Sequence, residues 1–191
     1  MLDVAQARGL DPADLMFDMA LETDLAARFR MSVVNYDEDE VAELLANPIT
    51  LLGLSDAGAH ASQLCDACFS THLLGHWVRE KRTLSLERAV HKLTGEPARV
   101  FGLDTAAGGR GLLREGMAGD VTVFDPATVG CSKLRRVHDL PGGTERLVAD
   151  AFGINAVVVN GVVVREGGRD AVKADGALPG RLLRGGRASA A

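Results

Sequence analysis

An α/β region followed by a smaller β-rich unit is the fold class this sequence predicts. Three observations predict it. A short apolar run, Ile49-Thr50-Leu51-Leu52-Gly53-Leu54, ends in Ser55-Asp56-Ala57-Gly58-Ala59-His60. Strand and helix signals alternate through the first half of the chain. Near Asp104 glycine becomes frequent, and the apolar runs become short and β-branched.

The elements follow in order. Asp11-Pro12 opens a helix running to about Leu25, with Asp as N-cap, Pro at the first helical position and Asp14 near the positive end of the dipole. Arg30 to Asn35 reads as a strand. Asp37-Glu38-Asp39-Glu40 is an acidic helix start resembling a capping box, and Val41, Leu44 and Leu45 share one apolar face. Asn47-Pro48 stops that helix, because the residue before proline is pushed out of the α region. Ile49 to Leu54 then reads as a strand buried on both faces. Strand, helix, strand in this order predicts parallel pairing. Such a strand puts Asp56 at the carboxyl edge of a sheet, where α/β barrels collect catalytic groups.

Gln63 to Glu80 reads as a mostly buried helix, and Ser85 caps another that carries Leu86, Ala89, Val90 and Leu93. Gly95 occupies the place of a left-handed C-terminal residue, with a short helix from Glu96 to Leu103 beyond it. Ala118 to Pro126 contains a strand bounded by turn residues. Asn160-Gly161 between Ala156–Val159 and Val162–Val164 is the strongest hairpin signal. Residues after Gly176 read as a loose tail.

Bulk properties narrow the function. At 191 residues and 47% apolar content, a packed core is feasible. A net charge of -5 and 4% aromatics argue against nucleic acid and anionic membranes as partners. Three cysteines fit a reducing compartment better than a disulfide framework. With no run of ~18 apolar residues and no secretory pattern, the expected location is cytoplasmic.

Two motifs invite stronger readings. Cys65, Cys68, His72 and His76 offer four zinc-type donors on one helical face. A straight helix would spread Cys65 and His76 over ~16 Å, whereas zinc needs all its donors ~2.0–2.3 Å from one point. Core packing is the favoured reading. Gly108-Gly109-Arg110-Gly111 follows a helix and precedes strands, the wrong context for a phosphate loop, so it reads as a linker.

Several segments, in order, resemble the C-terminal part of the N-acyl-D-amino-acid deacylase (D-aminoacylase) branch of the amidohydrolase superfamily. They are Leu54 to His60 (LSDAGAH), Leu84 to Ala98 (LSLERAVHKLTGEPA), Gly111 to Pro126 (GLLREGMAGDVTVFDP), Val159-Asn160-Gly161 and Leu178 to Arg181 (LPGR). The resemblance implies a (β/α)8 metal-dependent hydrolase barrel followed by a small β-sandwich, here present only as the C-terminal fragment. It divides the chain into the last βα units of the barrel (1–103), part of the sandwich (104–176) and a flexible tail (177–191). It implies zinc as cofactor and a small N-acyl amino acid as substrate.

Asp56 matches the family's catalytic aspartate, which moves a proton from water to the leaving amine and can touch the metal. Taken alone, Asp56 also fits a turn or cap aspartate. His60 resembles a position that holds the substrate, and a surface-loop histidine is the plain alternative. The five histidines, His60, His72, His76, His91 and His138, include no His-x-His pair, and none precedes Asp56. A barrel of this class needs about 250 residues. The chain is therefore expected to lack the remaining metal ligands, to be inactive alone, and to have a missing N-terminal barrel portion as partner. The alternative is a non-catalytic interaction module or degenerate remnant pairing with a separate N-terminal chain.

Overall fold

The computed structural model describes residues 1–32, 34–53, 55–65, 67–104, 108–173, 175–184 and 187–188. The chain divides into two compact units, Met1–Val41 and Ala42–Ala191.

The first unit is helical. Helices α1 (Leu2–Arg8) and α2 (Pro12–Glu22) pack together, with Ala5 and Leu15 buried. Asp11 caps α2 as its sequence predicts: its backbone is extended, and its carboxylate accepts a hydrogen bond from the Ala13 N–H at 2.8 Å. The helix ends where the Thr23 hydroxyl turns back to the Met19 carbonyl at 2.9 Å.

Helix α3 (Glu38–Ala46) starts on the Asp37 carboxylate, which accepts from the N–H groups of Asp39 (3.0 Å) and Glu40 (3.2 Å). It stops before Asn47-Pro48, and the Asn47 amide oxygen accepts from the Ile49 N–H at 3.0 Å. Both ends lie where the local chemistry puts them.

The two strands expected on either side of α3 are not formed. Among the described residues of 30–35 and 49–54, none belongs to a strand, while Val33 and Leu54 lie outside the described residues. Ile49, expected to be buried on both faces, is 88% exposed. A strand is stable only when a neighbour accepts its backbone hydrogen bonds. Among the described residues nothing pairs with either segment, and every ladder is antiparallel, so the expected parallel pairing is absent.

Further along, the helix expected over 63–80 begins at Phe69. It runs as α4 (Phe69–His72) and continues as wider π-helical turns over Leu73–Glu80. Helix α5 (Leu86–Leu93) starts on the Ser85 hydroxyl, which accepts from the Arg88 N–H at 3.2 Å. Helix α6 (Gly95–Val100) follows almost at once. Gly95 is its first residue and does not take the left-handed conformation expected of it. Space explains the glycine instead: a Cβ there would lie 2.9 Å from His91 Nδ1 and 3.3 Å from Leu112 Cδ2. The core of this region is Leu73, Leu74, Trp77, Leu84, Ala89 and Ala98, joined by Val129.

All described strands lie beyond residue 120. They are β1 (Val121–Phe124), β2 (Gly130–Cys131), β3 (Arg135–Val137), β4 (Arg146–Val148), β5 (Ala151–Phe152), β6 (Ile154–Val159), β7 (Val162–Glu166), β8 (Arg169–Asp170), β9 (Leu183–Arg184) and β10 (Arg187–Ala188). One sheet has the order β1-β6-β7-β8, and β2/β5, β3/β4 and β9/β10 form separate pairs. The predicted hairpin is present, with Val159 opposite Val162. Its turn residues both have positive φ, 47° at Asn160 and 80° at Gly161, as a tight right-twisted hairpin requires.

The Gly-rich segment leads into this sheet as a linker. Arg110 pairs with Asp120, and its other terminal nitrogen donates to the Asn160 side chain at 2.9 Å.

Candidate functional site

Asp56 and His60 lie on one short loop. The Ala59 N–H donates to the Asp56 carbonyl at 3.0 Å, closing a turn in which Gly58 has φ 92°. A second turn follows, where the N–H groups of Gln63 (2.7 Å) and Leu64 (2.9 Å) donate to the His60 carbonyl. Both side chains are exposed, and among the described residues neither makes a hydrogen bond or ion pair. The structure thus places the two residues together and presents both to solvent.

Two distant segments hold this loop. Upstream of Asp56, Lys92 of α5 is only 1% exposed, and its ammonium donates to the Thr50 carbonyl at 2.9 Å and the Asn47 carbonyl at 3.5 Å. Its charge is balanced by Glu96 Oε2 at 3.5 Å, while Glu96 Oε1 pairs with Arg88 at 3.2 Å. Downstream, the β3–β4 hairpin docks on the loop. The Leu147 N–H donates to the Ala61 carbonyl at 2.8 Å, and the Arg136 guanidinium donates to the Ser62 carbonyl at 2.9 Å. Arg136 is itself steadied by Glu145 at 2.9 Å. A cavity of about 310 Å³ lies between loop and hairpin, walled by Ala57, Gly58, Ala61 and Leu64 on one side and by Arg146 and Leu147 on the other. Arg146 is forked onto Asp139 through two 2.7 Å bonds, and this guanidinium holds the Asp139 carboxyl below its ordinary range.

Neither Lys92 nor Arg136 stands out in the sequence. The one signal for Lys92 is the series Arg88, Lys92, Glu96 at four-residue spacing, which places opposite charges on one helical face. Arg136 carries no local signal, since its partner Ser62 is 74 residues away.

Cys68, His72 and His76 are engaged with other groups. The His72 and His76 rings stack at 4.8 Å, and His76 Nδ1 lies 3.1 Å from Glu80. Burial, with a hydrogen bond to Cys131, pushes the Cys68 thiol up to about 11. All three cysteines are free. Among the described residues, no group of three or more His, Cys, Asp or Glu is gathered so as to hold a metal ion. Among them, no helix is long and apolar enough to cross a membrane.

The comparisons with known proteins concern the chain as a whole. The amidohydrolase family model matches residues 3–165, and the chain belongs to that family. It is 34% identical over 96% of its length to the N-acyl-D-aspartate deacylase of Alcaligenes xylosoxydans xylosoxydans, of which it covers 34%. It also resembles a solved D-aminoacylase, an aspartate-to-alanine variant in complex with copper chloride. That match has 30% identity and a TM-score of 0.50, covering 90% of this chain and 32% of the other. A second similar structure is an N-acyl-D-glutamate deacylase from Bordetella bronchiseptica, complexed with zinc and a phosphonate inhibitor. It is 44% identical over 49% of this chain and 17% of that one, with a TM-score of 0.37. The chain spans about a third of the length of the curated relatives it matches.

The described residues do not complete a zinc site of the kind the family implies. Asp56 offers one carboxylate, and no described side chains join it as the further donors that such a site needs.

Proposed function

We propose that this chain is the C-terminal third of a metal-dependent amidohydrolase that cleaves the amide bond of N-acyl-D-amino acids. Asp56 is its general acid/base. It takes a proton from the attacking water and returns it to the nitrogen as the C–N bond breaks. His60, four residues on, contacts the substrate. Zinc, if used, takes Asp56 as one donor and finds its other ligands on a separate or preceding portion of the barrel. On this reading residues 1–103 are the last βα units of that barrel, 104–176 belong to a sandwich, 177–191 are a tail, and the protein works in the cytoplasm.

One observation carries the reading. Within a family match covering 3–165, the exposed Asp56 carboxylate heads a loop held at both ends by buried or paired cations. A free carboxylate on a fixed loop is suited to proton transfer. A second observation bears on the missing portion. Ile49 is 88% exposed and Met31 79%. Apolar side chains this open favour pairing with a further polypeptide, as a non-catalytic interaction module would also require.

The test is complementation. The chain is combined with a polypeptide supplying the first two thirds of the N-acyl-D-aspartate deacylase relative, and hydrolysis of N-acetyl-D-amino acids is measured. Activity is expected only in the combination, falling about 10³-fold in Asp56→Asn. A combination whose activity survives Asp56→Asn overturns the assignment.

A further inference from the structure

Asp56 has no side-chain partner of its own among the described residues, so its position depends on the backbone that carries it. That backbone is fixed at two places. Six residues before Asp56, the Thr50 carbonyl receives the buried Lys92 ammonium at 2.9 Å. Five and six residues after it, the Ala61 and Ser62 carbonyls receive the Leu147 N–H at 2.8 Å and the Arg136 guanidinium at 2.9 Å.

The two anchors differ in kind: Lys92 is buried, and Arg136 is at the surface. Lys92 is 1% exposed, so it has no role toward solvent or substrate, and its bonds go to main-chain oxygens and to Glu96. Burying an ammonium is costly unless it is paired and hydrogen-bonded. Lys92 meets that condition through the Thr50 and Asn47 carbonyls of the chain entering the loop and the charge of Glu96, whose Oε2 itself has no hydrogen bond. Arg136 bridges Glu145 and Ser62, tying the chain leaving the loop to β3–β4.

We propose that Lys92 and Arg136 are positioning residues for the Asp56–His60 loop, Lys92 fixing the chain that enters it and Arg136 the chain that leaves it. The proposal rests on the reading of Asp56 as the catalytic carboxylate. Bonds to charged donors are the stronger class, and small misplacements of a reacting group are expensive in rate.

The test uses this chain and hydrogen exchange read by peptide mass spectrometry. Arg136→Leu is expected to speed exchange over 57–64 about tenfold, with 154–166 unchanged and the urea midpoint little moved. Arg136→Lys, which keeps one donor for Ser62, should restore most of the protection. Lys92→Met should speed exchange over 49–53 in the same way; because it strands Glu96 in the core, the Arg136 pair decides if this variant does not fold. In the complemented enzyme Arg136→Leu should lower kcat about tenfold and leave KM within about twofold. Unchanged exchange over 57–64, an equal rise across the whole chain, or no difference between the Lys and Leu variants overturns the proposal. Asp56→Asn separates the two readings: activity surviving in that variant would sink the catalytic assignment, while the exchange data judge the clamp independently.

Discussion

Asp56 and Cys68 are opposite cases of how surroundings set reactivity. Asp56 stands in solvent on a loop whose ends are fixed. Cys68 is held against Cys131, and burial raises its thiol from the ordinary 9.0 to about 11. The thiolate is the reactive form, so Cys68 should be the slow cysteine. Iodoacetamide labelling followed by mass spectrometry should find Cys68 largely unmodified at pH 8 and increasingly labelled as pH approaches 11. Its contribution to stability has a definite sign. The unfolded thiol loses its proton first, so stability is fully present below about 9 and declines as pH rises toward 11. Denaturant midpoints rising over that window would contradict the burial of this thiol.

At the scale of elements, the caps and the hairpin were legible from neighbours in sequence, while the helix start expected at Gln63 was not. Asp11, Asp37 and Ser85 cap helices as their residue types dictate, and Asn160-Gly161 makes its hairpin. Removing the Ser85 cap by Ser85→Ala should cost about 1 kcal/mol, read as a lower urea midpoint. Gly161→Ala, at φ 80°, should cost about 1 kcal/mol by the same measure, because a Cβ is strained there.

What depends on distant partners was not legible. Ile49 to Leu54 has the composition of a buried strand, but a strand is defined by its neighbours, and none is present among the described residues. Gly95 looked like a helix end and is a point of close packing against His91 and Leu112. In the candidate site, Asp56 and His60 are nominated by motif order, and the structure adds only that both sit on one exposed loop. The residues that hold their loop could not be nominated in this way, because Arg136 meets Ser62 across 74 positions.

At the scale of the molecule, the chain carries an amidohydrolase signature over 3–165 on about a third of its relatives' length. Some of its apolar side chains stand open to solvent: Ile49 and Leu113 are 88% and 78% exposed. Scattered apolar residues are normal on a surface, but on the proposed reading Ile49, in a segment with strand composition, is covered by the remaining portion. The isolated chain should therefore bind the dye ANS, and the fluorescence should fall when the complementary portion is added. A signal unchanged by the addition would mean that this segment is not what the other portion covers.

The most direct measurement is zinc titration of the isolated chain, with bound metal counted by plasma mass spectrometry and hydrolysis of N-acetyl-D-amino acids followed in the same samples. Because Asp56 has no companion donors among the described residues, well under one zinc per chain and no turnover are expected. One tightly bound zinc per chain, with turnover that disappears in Asp56→Asn, would contradict it: the chain would then be a complete enzyme, with its metal ligands where the fold described here does not place them.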